Sequence, residues 1–84
     1  MPENELTARV FNVIATTQRK DPALVTIEST FEELEIDSMD AVNIIFGLEN
    51  EFSINIPDDQ VKNIRNVRDM VEGVRRLVAA QAPA

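Results

Sequence analysis

The chain has 84 residues, 44% hydrophobic and 27% charged, with 15 acids, 8 bases and a net charge of −7. That is one small domain with one modest core, in the composition range of globular rather than disordered chains. With no Cys and no His, it has no disulfide, no thiolate nucleophile, no Ser-His-Asp triad and no His- or Cys-ligated zinc. Leu6, Val10, Val13, Ile14 and Thr17 recur at helical spacing and predict a first helix over about 4–19. Asp21-Pro22 ends it, because a residue before Pro avoids the helical region. Residues 20–36 show no sustained period. Leu24, Ile27, Phe31, Leu34 and Ile36 are expected to pin this long loop to the core. A connection of that length in so small a domain is often functional.

A second helix is predicted from Asp37-Ser38-Met39-Asp40 to about Phe52, with Asp37 as N-cap and Asp40 completing a capping-box-like pair. Ser53, Asn55 and Pro57 interrupt the pattern. Pro57-Asp58-Asp59 suits the first turn of a short third helix, about 57–63, carrying Val61 and Ile64. Asn66 caps a fourth helix, whose apolar stripe is Val67, Met70, Val71, Val74, Leu77 and Val78. Gln81-Ala82-Pro83-Ala84 reads as a frayed tail. No stretch shows strand alternation. The expected fold is all-α: a single domain over 1–84, ordered over about 4–79. It is a bundle of three main helices and one short one, with a long loop between the first two.

The longest apolar run is Leu77-Val78-Ala79-Ala80, far short of the roughly 20 residues of a membrane span. Met1-Pro2-Glu3-Asn4-Glu5 has neither a basic nor an apolar signal region, so the cytoplasm is the expected compartment. Residues 21–61 carry eleven acids and no base, while 62–84 carry a net +3. The acidic middle repels nucleic acid and anionic lipid and attracts a basic partner. A solvated acidic surface kept for solubility is the competing account.

The second helix has one apolar stripe too many. Ala41, Ile44, Ile45, Leu48 and Phe52 form a core face, while Met39, Val42 and Phe46 form another, flanked by Asn43, Glu49 and Asn50. A helix in a domain this small does not bury both, so the second stripe marks a contact site unless the long loop folds over it. Gly47 costs about 1 kcal/mol against Ala inside a helix; close packing is one reason to keep it.

Ser38 stands at the first position of this helix, beside that stripe. It has no His to activate it and no Lys or Arg near it in sequence. Either it is an ordinary helix-start residue, or another protein modifies it.

Phe31-Glu32-Glu33-Leu34-Glu35-Ile36-Asp37-Ser38-Met39-Asp40, then Leu48-Glu49-Asn50-Glu51-Phe52 and Ile54-Asn55-Ile56-Pro57-Asp58-Asp59, resemble the acyl carrier protein family. The resemblance runs from the first helix to about Val78. It implies that Ser38, between Asp37 and Met39, carries 4'-phosphopantetheine delivered from coenzyme A by a phosphopantetheinyl transferase. It implies a monomeric carrier, not an enzyme, that presents thioesters to partner enzymes without binding nucleic acid or entering a membrane. Those partners are an acyl- or aminoacyl-loading ligase or transferase and the synthases of fatty-acid, polyketide or related lipid synthesis. The implied docking residues are Asp37, Met39, Asp40, Val42, Asn43, Phe46, Glu49, Asp58 and Asp59. The implied acyl pocket is Ile44, Ile45, Leu48, Ile56, Val61, Ile64, Met70 and Val71. Asn43 and Asn50 replace usual acids, Phe46 exceeds the usual aliphatic residue, and the third helix is less acidic. Beside fatty-acyl carriage, these departures leave room for a specialised carrier of polyketide, lipid-modification, aminoacyl or peptidyl pathways; the alternatives are an unmodified interaction module and an autonomous carboxylate-based hydrolase, the latter disfavoured by the lack of a second catalytic cluster.

Overall fold

Four helices and one 3-10 turn, Pro22–Leu24, make up the regular structure of this chain in a computed structural model that describes residues 3–81. Helix α1, Glu3–Gln18, buries Leu6, Val10 and Ile14, four residues apart, so one stripe meets the core. It packs against α2, Ser38–Phe52, and α4, Val67–Gln81; the short α3, Asp58–Lys62, lies between these last two in the chain. Ile44, Ile45 and Leu48 of α2 and Val67, Met70, Val71 and Val74 of α4 complete the core. The one pairing of strand type among the described residues is an isolated bridge from Thr30 to Asn66.

Three non-glycine residues close turns in the left-handed region: Arg19 (φ 56°), Glu35 (φ 58°) and Ser53 (φ 54°). Each precedes a residue whose N–H reaches back five positions: Lys20 to Ala15, Ile36 to Phe31 and Ile54 to Glu49. These closures satisfy carbonyls that the chain would otherwise leave open as it turns away.

The loop from 19 to 37 is laced to the bundle. Val25 and Leu34 are buried, and Ile27, Phe31 and Ile36 are half-buried against the core. Leu24, expected among the pinning residues, is instead 62% exposed. The 3-10 turn, closed by the Val25 N–H on the Pro22 carbonyl, is followed by Val25, which takes the buried place. Buried Ser29 accepts the Thr26 N–H on its hydroxyl and the Val67 N–H on its carbonyl, which ties the loop to the start of α4.

Two expected boundaries shift. Pro57 is the N-cap of α3 rather than its first residue. Gln81 is not part of a tail: it ends α4, and its side-chain amide pairs with both backbone groups of Asn55 at 2.9 and 2.8 Å. The rest of the expected tail, 82–84, lies outside the described residues. Asn66 caps α4 as its side chain predicts, accepting the Asp69 N–H at 2.8 Å.

Candidate functional site

The start of α2 is fixed by reciprocal capping. The Asp37 carboxylate accepts the Asp40 N–H at 2.8 Å, and the Asp40 carboxylate accepts the Asp37 N–H at 3.4 Å. Ser38 is thereby the first helical residue. It is exposed, and its hydroxyl makes no hydrogen bond among the described residues. The N–H groups of Ser38 and Met39 are also unpaired there, as expected for the first turn of a helix. The two neighbouring carboxylates are engaged in the cap, and Lys20 is paired with Glu35 at 3.1 Å. Among the described residues no side chain is hydrogen-bonded to the Ser38 hydroxyl.

Beyond Ser38 the second stripe of α2 is open to solvent. Met39 is 76%, Val42 48% and Phe46 59% exposed, and the long loop does not cover them. Asn43 on α2 and Asp58 and Asp59 on α3 are exposed around it. Glu49, expected as a rim charge, also bonds within the fold. It is half-buried, and its carboxylate accepts the Ile56 N–H at 2.9 Å, holding the chain that leads into α3. Asp37, Asp40 and Glu49 thus shape the backbone, while among the described residues the Asp58 and Asp59 carboxylates make no such bonds.

Between α2 and α3 lies a half-open groove of about 360 Å³. Val42, Ile45 and Phe46 line one side, Ile56 and Val61 the other, and Glu49, Asn55 and Asp58 make its polar part. Of the expected pocket residues, Ile45, Ile56 and Val61 stand here. Ile44, Leu48, Met70 and Val71 are shut into the core and do not line it, and half-buried Ile64 packs beside Gly73. Gly47 faces away from this groove, toward Val13 of α1. Sequence reasoning missed Asn55 as a lining residue, because it falls in a stretch without period.

The site is thus an exposed serine on a capped helix start beside an uncovered apolar stripe. The family model for the phosphopantetheine attachment site matches residues 8–74. The acyl carrier protein of Thermosynechococcus vestitus is 35% identical over 95% of this chain and 100% of that one. The mitochondrial acyl carrier protein of Dictyostelium discoideum is 33% identical over 94% of this chain and 66% of that one. The crystal structure of an acyl carrier protein from Thermotoga maritima superposes with a TM-score of 0.80 at 30% identity, covering 95% of this chain and 94% of that one. The chain belongs to the acyl carrier protein family, and it carries acyl groups on a covalent 4'-phosphopantetheine arm. No helix among the described residues is long and apolar enough to cross a membrane.

Proposed function

We propose that Ser38 is the attachment residue and that the open stripe of α2, with Asp58 and Asp59, is the face on which the partner enzymes dock. The observation that carries this reading is the free, exposed Ser38 hydroxyl at the head of that stripe. A phosphodiester formed there displaces no internal hydrogen bond, and the unpaired first-turn N–H groups and positive helix end favour its charge.

In the loading step the Ser38 oxygen bonds to the phosphorus next to the pantetheine of coenzyme A. The pyrophosphate bond breaks, its electron pair leaves with the nucleotide part, and the transferase accepts the Ser38 proton. Asp37 and Asp40 hold the first turn of α2 so that this oxygen stays presented. Once bound, the arm supplies a thiol that holds acyl groups as thioesters. Met39, Val42 and Phe46 give each partner an apolar anchor, and tethering keeps the cargo at roughly millimolar effective concentration at each enzyme. Partner classes are the phosphopantetheinyl transferase, a loading ligase or transferase, and the synthases that use the cargo.

The test is intact mass after incubation of wild type and Ser38→Ala with coenzyme A and a broad-specificity phosphopantetheinyl transferase. Wild type gains one arm; Ser38→Ala folds and gains none. An arm on the Ser38→Ala protein would move the attachment elsewhere.

A further inference from the structure

We infer that Gln18, at the far end of α1, is a positioning residue for the loading of Ser38. This deepens the reading of Ser38 as the attachment residue and rests on it. The Gln18 side-chain nitrogen donates to the carbonyls of Leu34 and Glu35, both at 3.1 Å, and approaches the Asp40 carboxylate at 3.4 Å. One half-buried amide thus gathers the last turn of the long loop and the third residue of α2 onto the end of α1.

The backbone is arranged for this contact. Glu35 adopts φ 58°, and the Ile36 N–H closes on the Phe31 carbonyl at 2.8 Å. Neither the Leu34 nor the Glu35 carbonyl accepts any other hydrogen bond among the described residues. Without Gln18 both must find water. The same Asp40 carboxylate accepts the Asp37 N–H in the capping box. Gln18 therefore acts on both sides of Asp37-Ser38: on the loop that delivers the pair and on the cap that fixes it. Val42 and Phe46, the main part of the docking stripe, lie about one and two turns farther along α2 from this corner.

The separation predicts a specific kinetic signature. Loss of Gln18 loosens the corner that presents the Ser38 oxygen and leaves the surface that binds the transferase intact. The measurement is transferase kinetics on full-length apo-protein, with coenzyme A as arm donor, alongside thermal unfolding. Gln18→Met keeps the length and removes the donor; kcat falls about tenfold and KM for the carrier stays within about twofold. Gln18→Glu sets a carboxylate against two carbonyls and Asp40 and falls further. Gln18→Lys, a longer donor, recovers most of the rate. Arg9→Met is the control for stability. Arg9 bonds Glu51 and stacks on Phe52 at the opposite end of α2, so its loss lowers the unfolding temperature and leaves kcat unchanged.

A wild-type kcat in Gln18→Met overturns the inference, as does a kcat loss in Arg9→Met as large as that in Gln18→Met. If Gln18→Met does not fold, equal rates for Gln18→Lys and Gln18→Glu overturn it. Loading of Ser38→Ala in the same series would count against the Ser38 reading instead, and it is read separately by mass.

Discussion

Gly47 of α2 lies so close to Val13 of α1 that a Cβ on it would sit 2.9 Å from the Val13 Cγ1. That is inside any ordinary carbon–carbon contact, so the glycine sets how near the two helices approach. Two effects oppose each other in Gly47→Ala. Better helix propensity contributes about 1 kcal/mol, and the forced shift of a β-branched neighbour costs roughly 1–3 kcal/mol. The clash wins, because Val in a helix has essentially one χ1 rotamer and cannot swing aside. Gly47→Ala is expected to be destabilising by up to about 2 kcal/mol. Adding Val13→Ala relieves the clash, so a double-mutant cycle in urea shows a coupling above roughly 0.5 kcal/mol. Additive single effects would place the close approach elsewhere.

The docking face makes a second expectation. Phe46 is a large apolar side chain standing in water, so Phe46→Ala removes binding surface at little cost to the fold. A weakening of transferase binding by about tenfold is expected, the scale of a central apolar anchor. Charge reversal tests the rim only at residues free of backbone duties. Asp40→Lys and Glu49→Lys would break the cap of α2 and the hold on Ile56, so a loss there reports structure as well as docking. Asp58→Lys and Asp59→Lys are the informative changes. Each should slow association at a cost to stability of about 1 kcal/mol or less, the scale of an acid lost from the first turn of α3. Unchanged on-rates in both would remove α3 from the interface.

Salt is expected to act in opposite directions on the folded chain and on its complexes. The eleven acids between 21 and 61 have no base within that segment, and the ion pairs seen among the described residues, Arg9–Glu51 and Lys20–Glu35, draw their cations from α1 and the residues just after it. Screening this self-repulsion raises the unfolding temperature, and each ~1 kcal/mol reads as ~4–8 °C in a domain of this size. The same screening weakens attraction to a basic partner beyond about 8 Å at physiological ionic strength. A melting series and a binding series over the same sodium chloride range check both signs. Falling stability with added salt would mean that the acids are better paired than the structure shows.

The parts of this molecule that are legible in the sequence are local ones. The capping box of Asp37 and Asp40, the Asn66 cap and the apolar stripes of α1 and α4 all follow from residues three or four apart, where helical geometry decides. The open stripe of α2 also follows, because face arithmetic leaves Met39, Val42 and Phe46 unburied in so small a bundle. What sequence does not reveal depends on distant chain segments meeting. Glu49 reads as a rim charge until the Ile56 N–H arrives at its carboxylate. Gln81 reads as tail until the loop after α2 brings Asn55 to it. Leu24 and Val25 are equally apolar neighbours, and only the 3-10 turn before Val25 sorts out which one is buried. The groove shows the same limit. Face arithmetic picks inward residues, but it does not say where the inward face stops being sealed: Val42, Phe46 and Asn55 line the groove, while Ile44, Leu48, Met70 and Val71 lie in the core.

Cargo length is the last expectation. The groove between α2 and α3 holds about 360 Å³ and is half-open, with Val61 and Ile56 on one side and Phe46 at its edge. Going deeper means entering the core, where Met70 is 1% exposed and Ile44 and Leu48 are fully buried. Pushing methylenes into a packed core costs roughly 1–3 kcal/mol, so a long chain gains little by continuing inward. Met70 is the pliable member of that core, because its unbranched side chain adapts, but the cluster packed around it must also move. The groove also has polar lining residues, Glu49, Asn55 and Asp58. A short acyl group, or one with a hydroxyl or amide to offer Asn55, fits this lining better than a long saturated one. Holo-protein loaded with saturated acyl groups of increasing length should therefore gain thermal stability over the first few carbons and then level off. Amide shifts should be largest at Ile56 and Val61 and small at Met70. Val61→Ala deepens the groove and should move the plateau to longer chains. Stability that climbs steadily to long chains in the wild type, with large shifts at Met70, would show that the core opens to admit them and would reverse the expected preference.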